Sequence, residues 1–190
     1  MEPLQVLQKV VFALKELEIS CMLVGSFASS SHGFPRLTQD ADLIVQLNRS
    51  QIDGFIEAFS RDFYIDRGLI ELALTSQTSF NIIHFQSSFK VDFFVLGRSS
   101  YSEKEFSRRV LKQIDPGLDF VAYVQTAEDA LLSKLQWYRQ GGEVSENQWR
   151  DVIGILKVQE GRLDFAYIQK WAKELDISDL LLRARQQAAG

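Results

Sequence analysis

Cysteine is almost missing from this chain. Cys21 stands alone, so no intramolecular disulfide can form and nothing points to an oxidising compartment. It lies in an apolar stretch and reads as a small buried hydrophobe. Histidine is scarce as well. His32 and His84 are the two present, neither has a partner at ligand spacing, and both read as structural rather than as zinc ligands. Long apolar runs are absent: none reaches the roughly 18 residues that span a bilayer. The opening MEPLQVLQKVVFALKEL lacks the basic region, apolar core and small-residue cleavage site of a signal peptide. The expected location is therefore the cytoplasm, with no membrane partner. Positive charge is not in excess either. The formal net charge is −4, which argues against a broadly basic nucleic-acid surface and leaves room only for a local patch.

What is present is the balance of a globular chain, with 46% hydrophobic and 24% charged residues. Leu4, Leu7, Val10, Val11, Leu14 and Leu17 recur at helical spacing over 3–18, and Pro3 suits a first helical turn. Residues 21–24 form a short apolar strand closed by Gly25-Ser26. A short small-residue helix is predicted over 27–32 and ends at Gly33 and Pro35. Residues 40–47 read as a strand and 49–62 as a helix. Residues 79–85 and 89–96 predict a hairpin through Gln86-Ser87-Ser88. A helix over 101–109 precedes strands at 110–114 and 120–124, which flank the turn Asp115-Pro116-Gly117. From Thr126 onward the pattern is helix alone, with helices near 127–140, 146–159, 164–175 and 177–188. Thr126 with Asp129 and Ser145 with Gln148 serve as caps. Trp137, Trp149 and Trp171 read as core. The expected class is α+β, a mixed sheet flanked by helices over 1–125 with a helical bundle over 126–190.

The stretch LVGSFASSSHGFPRLTQDADLIVQL carries the chemistry. Residues two apart on a strand face the same way, so Asp40 and Asp42 present two carboxylates side by side. Such a pair repels unless a cation or proton joins it. Hard oxygen donors of this kind suit Mg²⁺, which keeps several waters and shares substrate phosphates. Asp92 is the one acid of the strand-like KVDFFVL and needs a partner in that apolar setting. A strand laid beside 40–47 brings it to the same cation. Two metals bridged by three carboxylates clamp the attacking and leaving oxygens of a phosphoryl displacement. Gly25 lets the backbone approach a phosphate, the amides opening the next helix favour an anion, and the Ser26 hydroxyl adds a hydrogen bond. Taken singly, these pieces read as an ordinary turn and a solvated acid pair. Their order along the chain is what makes them specific.

These motifs resemble the DNA polymerase β-like nucleotidyltransferase superfamily. Gly33-Phe34-Pro35-Arg36 followed by Thr38-Gln39-Asp40-Ala41-Asp42 is most similar to the branch of AbiEii/AbiGii-type toxin nucleotidyltransferases. The segment 126–135, with Lys134-Leu135, and Arg150-Asp151-Val152 resemble two further elements of that branch. The resemblance implies transfer of a nucleoside monophosphate from an NTP, such as ATP, to an acceptor hydroxyl on an RNA 3′ end or a protein, with a small molecule as a further possible acceptor. It makes Asp40, Asp42 and Asp92 ligands of Mg²⁺ or Mn²⁺. It puts Gly25, Ser26 and Lys134 on the nucleotide, and adds Lys134 and Asp151 to the catalytic set. Arg36 precedes the acid pair and is a further nucleotide-binding candidate by position, with a solvent-facing loop arginine as the competing reading. For Lys134 a solvated helix charge is the competing reading, and for Asp151 a salt bridge to Lys134. The branch also implies a cognate toxin or antitoxin partner. The alternative is a fold relative that is catalytically weak or inactive and acts as an antitoxin-like binding module. Arg98, Lys104, Arg108, Arg109 and Lys112 form a basic stretch that could rim the acceptor side.

Overall fold

The computed structural model describes residues 2–36 and 38–190. Its helices are α1 (Pro3–Glu16), α2 (Gly25–His32), α3 (Ile52–Phe59), α4 (Arg67–Ser76), α5 (Ser100–Ser107), α6 (Ala127–Gln140), α7 (Glu146–Val158), α8 (Phe165–Glu174) and α9 (Ser178–Ala189). Its strands are β1 (Cys21–Leu23), β2 (Asp40–Val45), β3 (Phe63–Tyr64), β4 (Ser79–His84), β5 (Lys90–Val95), β6 (Val110–Asp115) and β7 (Phe120–Val124). Two compact units result. One comprises residues 1–24 and 38–124, the other 25–37 and 125–190. Among the described residues, no helix is long and apolar enough to cross a membrane.

The first unit holds a mixed sheet of order β3-β4-β5-β2-β1-β7-β6. Its centre is β2 beside β5, parallel and in register from Asp40↔Lys90 to Val45↔Val95. Strand β4 runs antiparallel to β5 through the hairpin read from the sequence, and β1 runs antiparallel to β2. Alternation decides which face is buried. Ala41, Leu43, Val45, Val91 and Phe93 are buried, whereas residues 40, 42, 44, 90, 92 and 94 are half-buried. Behind the buried face, Phe55, Phe59, Phe63, Phe80 and Phe93 pack ring on ring. Phe80 and Phe93 are cross-strand partners with stacked rings 5.0 Å apart, and Phe55 meets Phe93 edge-on at 5.4 Å. Each buried ring contributes roughly 1.5–3 kcal/mol, and the cluster braces the strand on the side opposite Asp92.

The region 63–78 carries elements that periodicity did not predict. There β3 pairs with β4, and α4 begins where the Asp66 carboxylate accepts from the Leu69 amide at 3.1 Å. Only Ile70 and Ala73 of α4 are buried, too few to print a stripe in the sequence.

The second unit is helical. Helix α2 packs against α6 and α7, α7 packs against α6 and α9, and α8 joins α6 and α9. Both caps read from the sequence form: Thr126 accepts from the Asp129 amide and Ser145 from the Gln148 amide. Trp171 is buried, but Trp137 is 50% exposed, so it is not core. Trp149 is partly buried, 5.0 Å from Tyr138 and beneath the Arg183 guanidinium at 4.2 Å.

Candidate active site

The sequence-derived residues fall into two sets, one in each unit. In the first unit the parallel register sets Asp42 directly opposite Asp92 and Asp40 opposite Lys90. Neighbouring strands lie about 4.8 Å apart, and residues two apart on one strand about 6.6 Å. The three acids therefore spring from one small patch of the half-buried face. Asn81 of β4 is the partner of Asp92 on its other side and points the same way. Beyond the acids, Met22, Val24 and Phe106 of this unit cluster with Ile44 and Leu96, so the polar patch gives way to apolar packing along the same strands.

Each acid is engaged. The Thr38 hydroxyl donates to Asp40 Oδ1 at 2.8 Å. Lys90 Nζ stands 2.6 Å from Asp92 Oδ2. The Lys90 ammonium is held above its ordinary pKa, first by that hydrogen bond and further by the fields of Asp92, Asp40 and Asp42, against the opposing effect of burial. All three carboxylates thus act on one cation. Among the described residues, no three His, Cys, Asp or Glu side chains stand close enough to form a ready ligand group. The backbone brings Asp40, Asp42 and Asp92 together; their side chains do not close into a cage. Thr38 and Lys90 both stand in the motifs read from the sequence but have no role there, although the two-residue spacing of Lys90 and Asp92 already puts them on one face.

The donor set fits a hard divalent cation on two counts. It offers oxygen donors that already share a positive charge, and it is half-buried rather than sealed. Mg²⁺ keeps several waters and takes one or two carboxylates plus phosphate oxygens, so a closed protein cage is not required.

In the second unit Gly25, Ser26, Arg36, Lys134 and Asp151 belong to one connected arrangement. Gly25 opens α2 with φ +60°, a left-handed backbone that glycine adopts without penalty. Ser26 is buried, and its hydroxyl accepts from the Arg36 guanidinium. Arg36 Nε lies 3.4 Å from Asp151 Oδ1. Asp151 Oδ2 accepts from Lys134 Nζ at 2.9 Å and from the Ser29 hydroxyl at 2.9 Å. A close approach makes this possible. A Cβ on Gly33 would lie 2.8 Å from the Ile155 nitrogen and 2.9 Å from the Gly154 carbonyl carbon, so only glycine lets the chain after α2 lie on the α7 backbone. Arg36 follows three residues later and reaches Asp151.

Burial settles one point about this set. The Lys134 and Asp151 side chains are 4% and 3% exposed, so Lys134 is not a solvated helix charge. It is half of a buried ion pair, and such a pair is costly to keep unless both charges are well partnered. Two cations, Arg36 and Lys134, surround one carboxylate. The neighbourhood therefore has a positive character.

The two histidines and the cysteine have structural surroundings. His32 Nε2 is 2.7 Å from the Gln125 carbonyl. His84 Nδ1 is 2.8 Å from the Ser87 hydroxyl, and burial lowers its pKa. Burial pushes the Cys21 thiol up to about 11. In the basic stretch, Arg109 lies over the rings of Phe106 and Tyr123 at 4.2 and 4.9 Å, which ties it to α5 and β7.

No protein-family model and no curated protein matches the sequence. Solved structures do. An antigenic nucleotidyltransferase-like protein from Paracoccidioides brasiliensis aligns over 97% of this chain and 92% of its own, with a TM-score of 0.56 at 16% identity. Lincosamide antibiotic adenylyltransferase LnuA, bound to lincomycin, aligns over 78% and 93% with a TM-score of 0.47 at 9% identity. The antibiotic-resistance factor ANT(2'')-Ia aligns over 100% and 96% with a TM-score of 0.49 at 13% identity. The first likeness carries the assignment, and at that identity it speaks for architecture alone. This chain has a mixed α+β fold of the nucleotidyltransferase type.

Proposed function

We propose that the protein transfers a nucleoside monophosphate from an NTP to an acceptor hydroxyl. Asp40, Asp42 and Asp92 hold Mg²⁺ or Mn²⁺, and Gly25, Ser26, Arg36 and Lys134 bind the triphosphate. The observation that carries this reading is the in-register pair Asp42↔Asp92 with Asp40 two residues away. Within an α+β fold of this type, that arrangement puts three hard donors on one face.

In the proposed reaction the acceptor oxygen forms a bond to the α-phosphorus. The bond from that phosphorus to the bridging oxygen breaks, and pyrophosphate leaves with the electron pair. Asp92 accepts the hydroxyl proton. The metal, when bound, neutralises charge on the phosphate oxygens and orients them. Gly25 lets the α2 amides approach the phosphate, since a helix N-terminus carries unsatisfied donors. Ser26 and Arg36 hold its oxygens, and Arg36 does so with a planar fork of donors. Asp151 keeps Lys134 and Arg36 in place.

The acceptor is read as an RNA 3′ end or a protein side chain. That reading, with a toxin–antitoxin or defence role, rests on the family resemblance of the motifs. A second reading is favoured by Lys90, whose hold on Asp92 suits a fold relative that binds a partner without transfer.

The test is to incubate the protein with each NTP labelled at the α-phosphate, Mg²⁺ and total cell extract, and then treat with RNase or protease. Label lost to RNase identifies an RNA acceptor. Label lost only to protease identifies a protein. If no NTP labels any macromolecule, the RNA and protein acceptors are ruled out, and a small-molecule acceptor or the binding module is left; release of labelled pyrophosphate from γ-labelled NTP separates the two.

A further inference from the structure

Lys90 is the residue on the acidic face that the transfer mechanism leaves unused. It sits on β5 across from Asp40 of β2, and its ammonium is 2.6 Å from Asp92 Oδ2. It is thus the protein's own cation on the patch from which Asp40, Asp42 and Asp92 rise. Two features set this pair apart from an ordinary structural ion pair. Both partners lie on the same strand, two residues apart, so the bridge joins no two elements of the fold. The Lys90 side chain is 40% exposed, and its flexible four-carbon stem can leave Asp92 for solvent without disturbing the sheet.

We propose that Lys90 is a tethered counter-ion that holds the Asp40–Asp42–Asp92 face in the metal-free protein and must be displaced for a divalent cation to bind. The inference rests on the metal reading given above. An ammonium within hydrogen-bond reach of Asp92 and a divalent cation on the same oxygens repel one another, so they exclude each other. The tethered charge loses no translational freedom on binding, which favours it over a free ion. A metal that arrives with triphosphate brings further oxygen ligands and a neutralising charge, and so displaces Lys90 more readily than the metal alone. Lys90 therefore makes metal binding depend on nucleotide.

The experiment measures Mn²⁺ binding by the loss of free-Mn²⁺ paramagnetic resonance signal, with and without a non-hydrolysable NTP analogue. It compares the wild-type protein with Lys90→Gln, Lys90→Arg and Asp42→Asn, and records the metal-free melting temperature of each. Lys90→Gln should bind Mn²⁺ alone about tenfold more tightly, the effect of removing one close like charge in a partly exposed site. The tightening caused by nucleotide should shrink to match. The metal-free melting temperature of Lys90→Gln should drop by roughly 2–4 °C, because three carboxylates lose their shared cation. Lys90→Arg keeps the charge and should resemble wild type in both measurements, which guards against a trivial folding defect. If Lys90→Gln binds Mn²⁺ no better than wild type while Asp42→Asn abolishes binding, the counter-ion role is wrong and the metal reading stands. If Mn²⁺ binding ignores both Lys90→Gln and Asp42→Asn, both ideas are overturned.

Discussion

The two units handle charge in opposite ways. The sheet unit gathers Asp40, Asp42 and Asp92 around one ammonium on a half-buried strand face. The helical unit gathers Arg36 and Lys134 around one carboxylate, Asp151, which is almost wholly buried. The first has an excess of negative charge and donors that suit a cation. The second has an excess of positive charge and donors that suit an anion. Under the proposed function the first set would meet the metal and the second the phosphates, so each set can be tested by itself. The units also differ in what their charges do for the fold. The strand carboxylates can be neutralised at modest cost, whereas breaking the Lys134–Asp151 pair leaves an uncompensated buried charge.

That contrast can be broken by mutation. The largest expected effect is on transfer, from Asp42→Asn combined with Asp92→Asn. Loss of several kcal/mol of charge stabilisation corresponds to roughly a thousandfold or more in rate. Thermal stability should hold, because Phe93 and its aromatic neighbours on the opposite face are untouched. A radiolabel assay alongside a melting curve checks both parts, and a collapsed melting temperature with spared activity would reverse the assignment.

Next comes Lys134→Ala. Removing one partner of a buried pair costs about 3–5 kcal/mol, so the melting temperature should fall by roughly 6–20 °C. The double variant Lys134→Met, Asp151→Leu should regain much of that stability without regaining transfer. If it regains both, the pair is structural only.

Ser26→Ala is the finer probe. Losing a hydrogen bond to a charged group costs about 1.5–3 kcal/mol, or roughly ten- to hundredfold in NTP use. Steady-state kinetics with each NTP would show it, and an effect within twofold would remove that hydroxyl from the phosphate site. The smallest effect belongs to Cys21. Its thiol pKa is raised from 9.0 to about 11, so less thiolate is present near neutral pH. Alkylation at pH 8 should run roughly a hundredfold slower in the native than in the unfolded protein. Equal rates would mean that the start of β1 is open to solvent.

The sequence revealed the acidic face because a strand has period two. Asp40-Ala41-Asp42 and the lone acid of KVDFFVL each declare a face, and apolar residues between them declare the other. The same rule applied to Lys90 and Asp92 would have shown the ammonium partner. The grouping of α2 with the C-terminal helices was beyond local pattern, because Gly33 and Gly154 owe their size to a contact between segments 121 residues apart. The parallel pairing of β1 with β7 at Leu23↔Val124 is non-local in the same sense. Helix α4 lacked a full apolar stripe, yet Asp66 before Arg67 was a readable cap. Lys134 stands four residues after Ala130 and four before Tyr138, both buried, so its helix already put it on the inner face, whereas its partner lies on another helix. A lysine on an inner face needs a partner, and Asp151 of α7 supplies it.

In the proposed function the acidic face takes a divalent cation together with nucleotide. Calorimetric titration of a non-hydrolysable NTP analogue, in the presence and absence of Mg²⁺, tests it most directly. Nucleotide binding should tighten at least tenfold with Mg²⁺ in wild type and lose that dependence in Asp40→Asn, Asp42→Asn. Nucleotide binding indifferent to Mg²⁺, or a dependence that survives the double substitution, would contradict it.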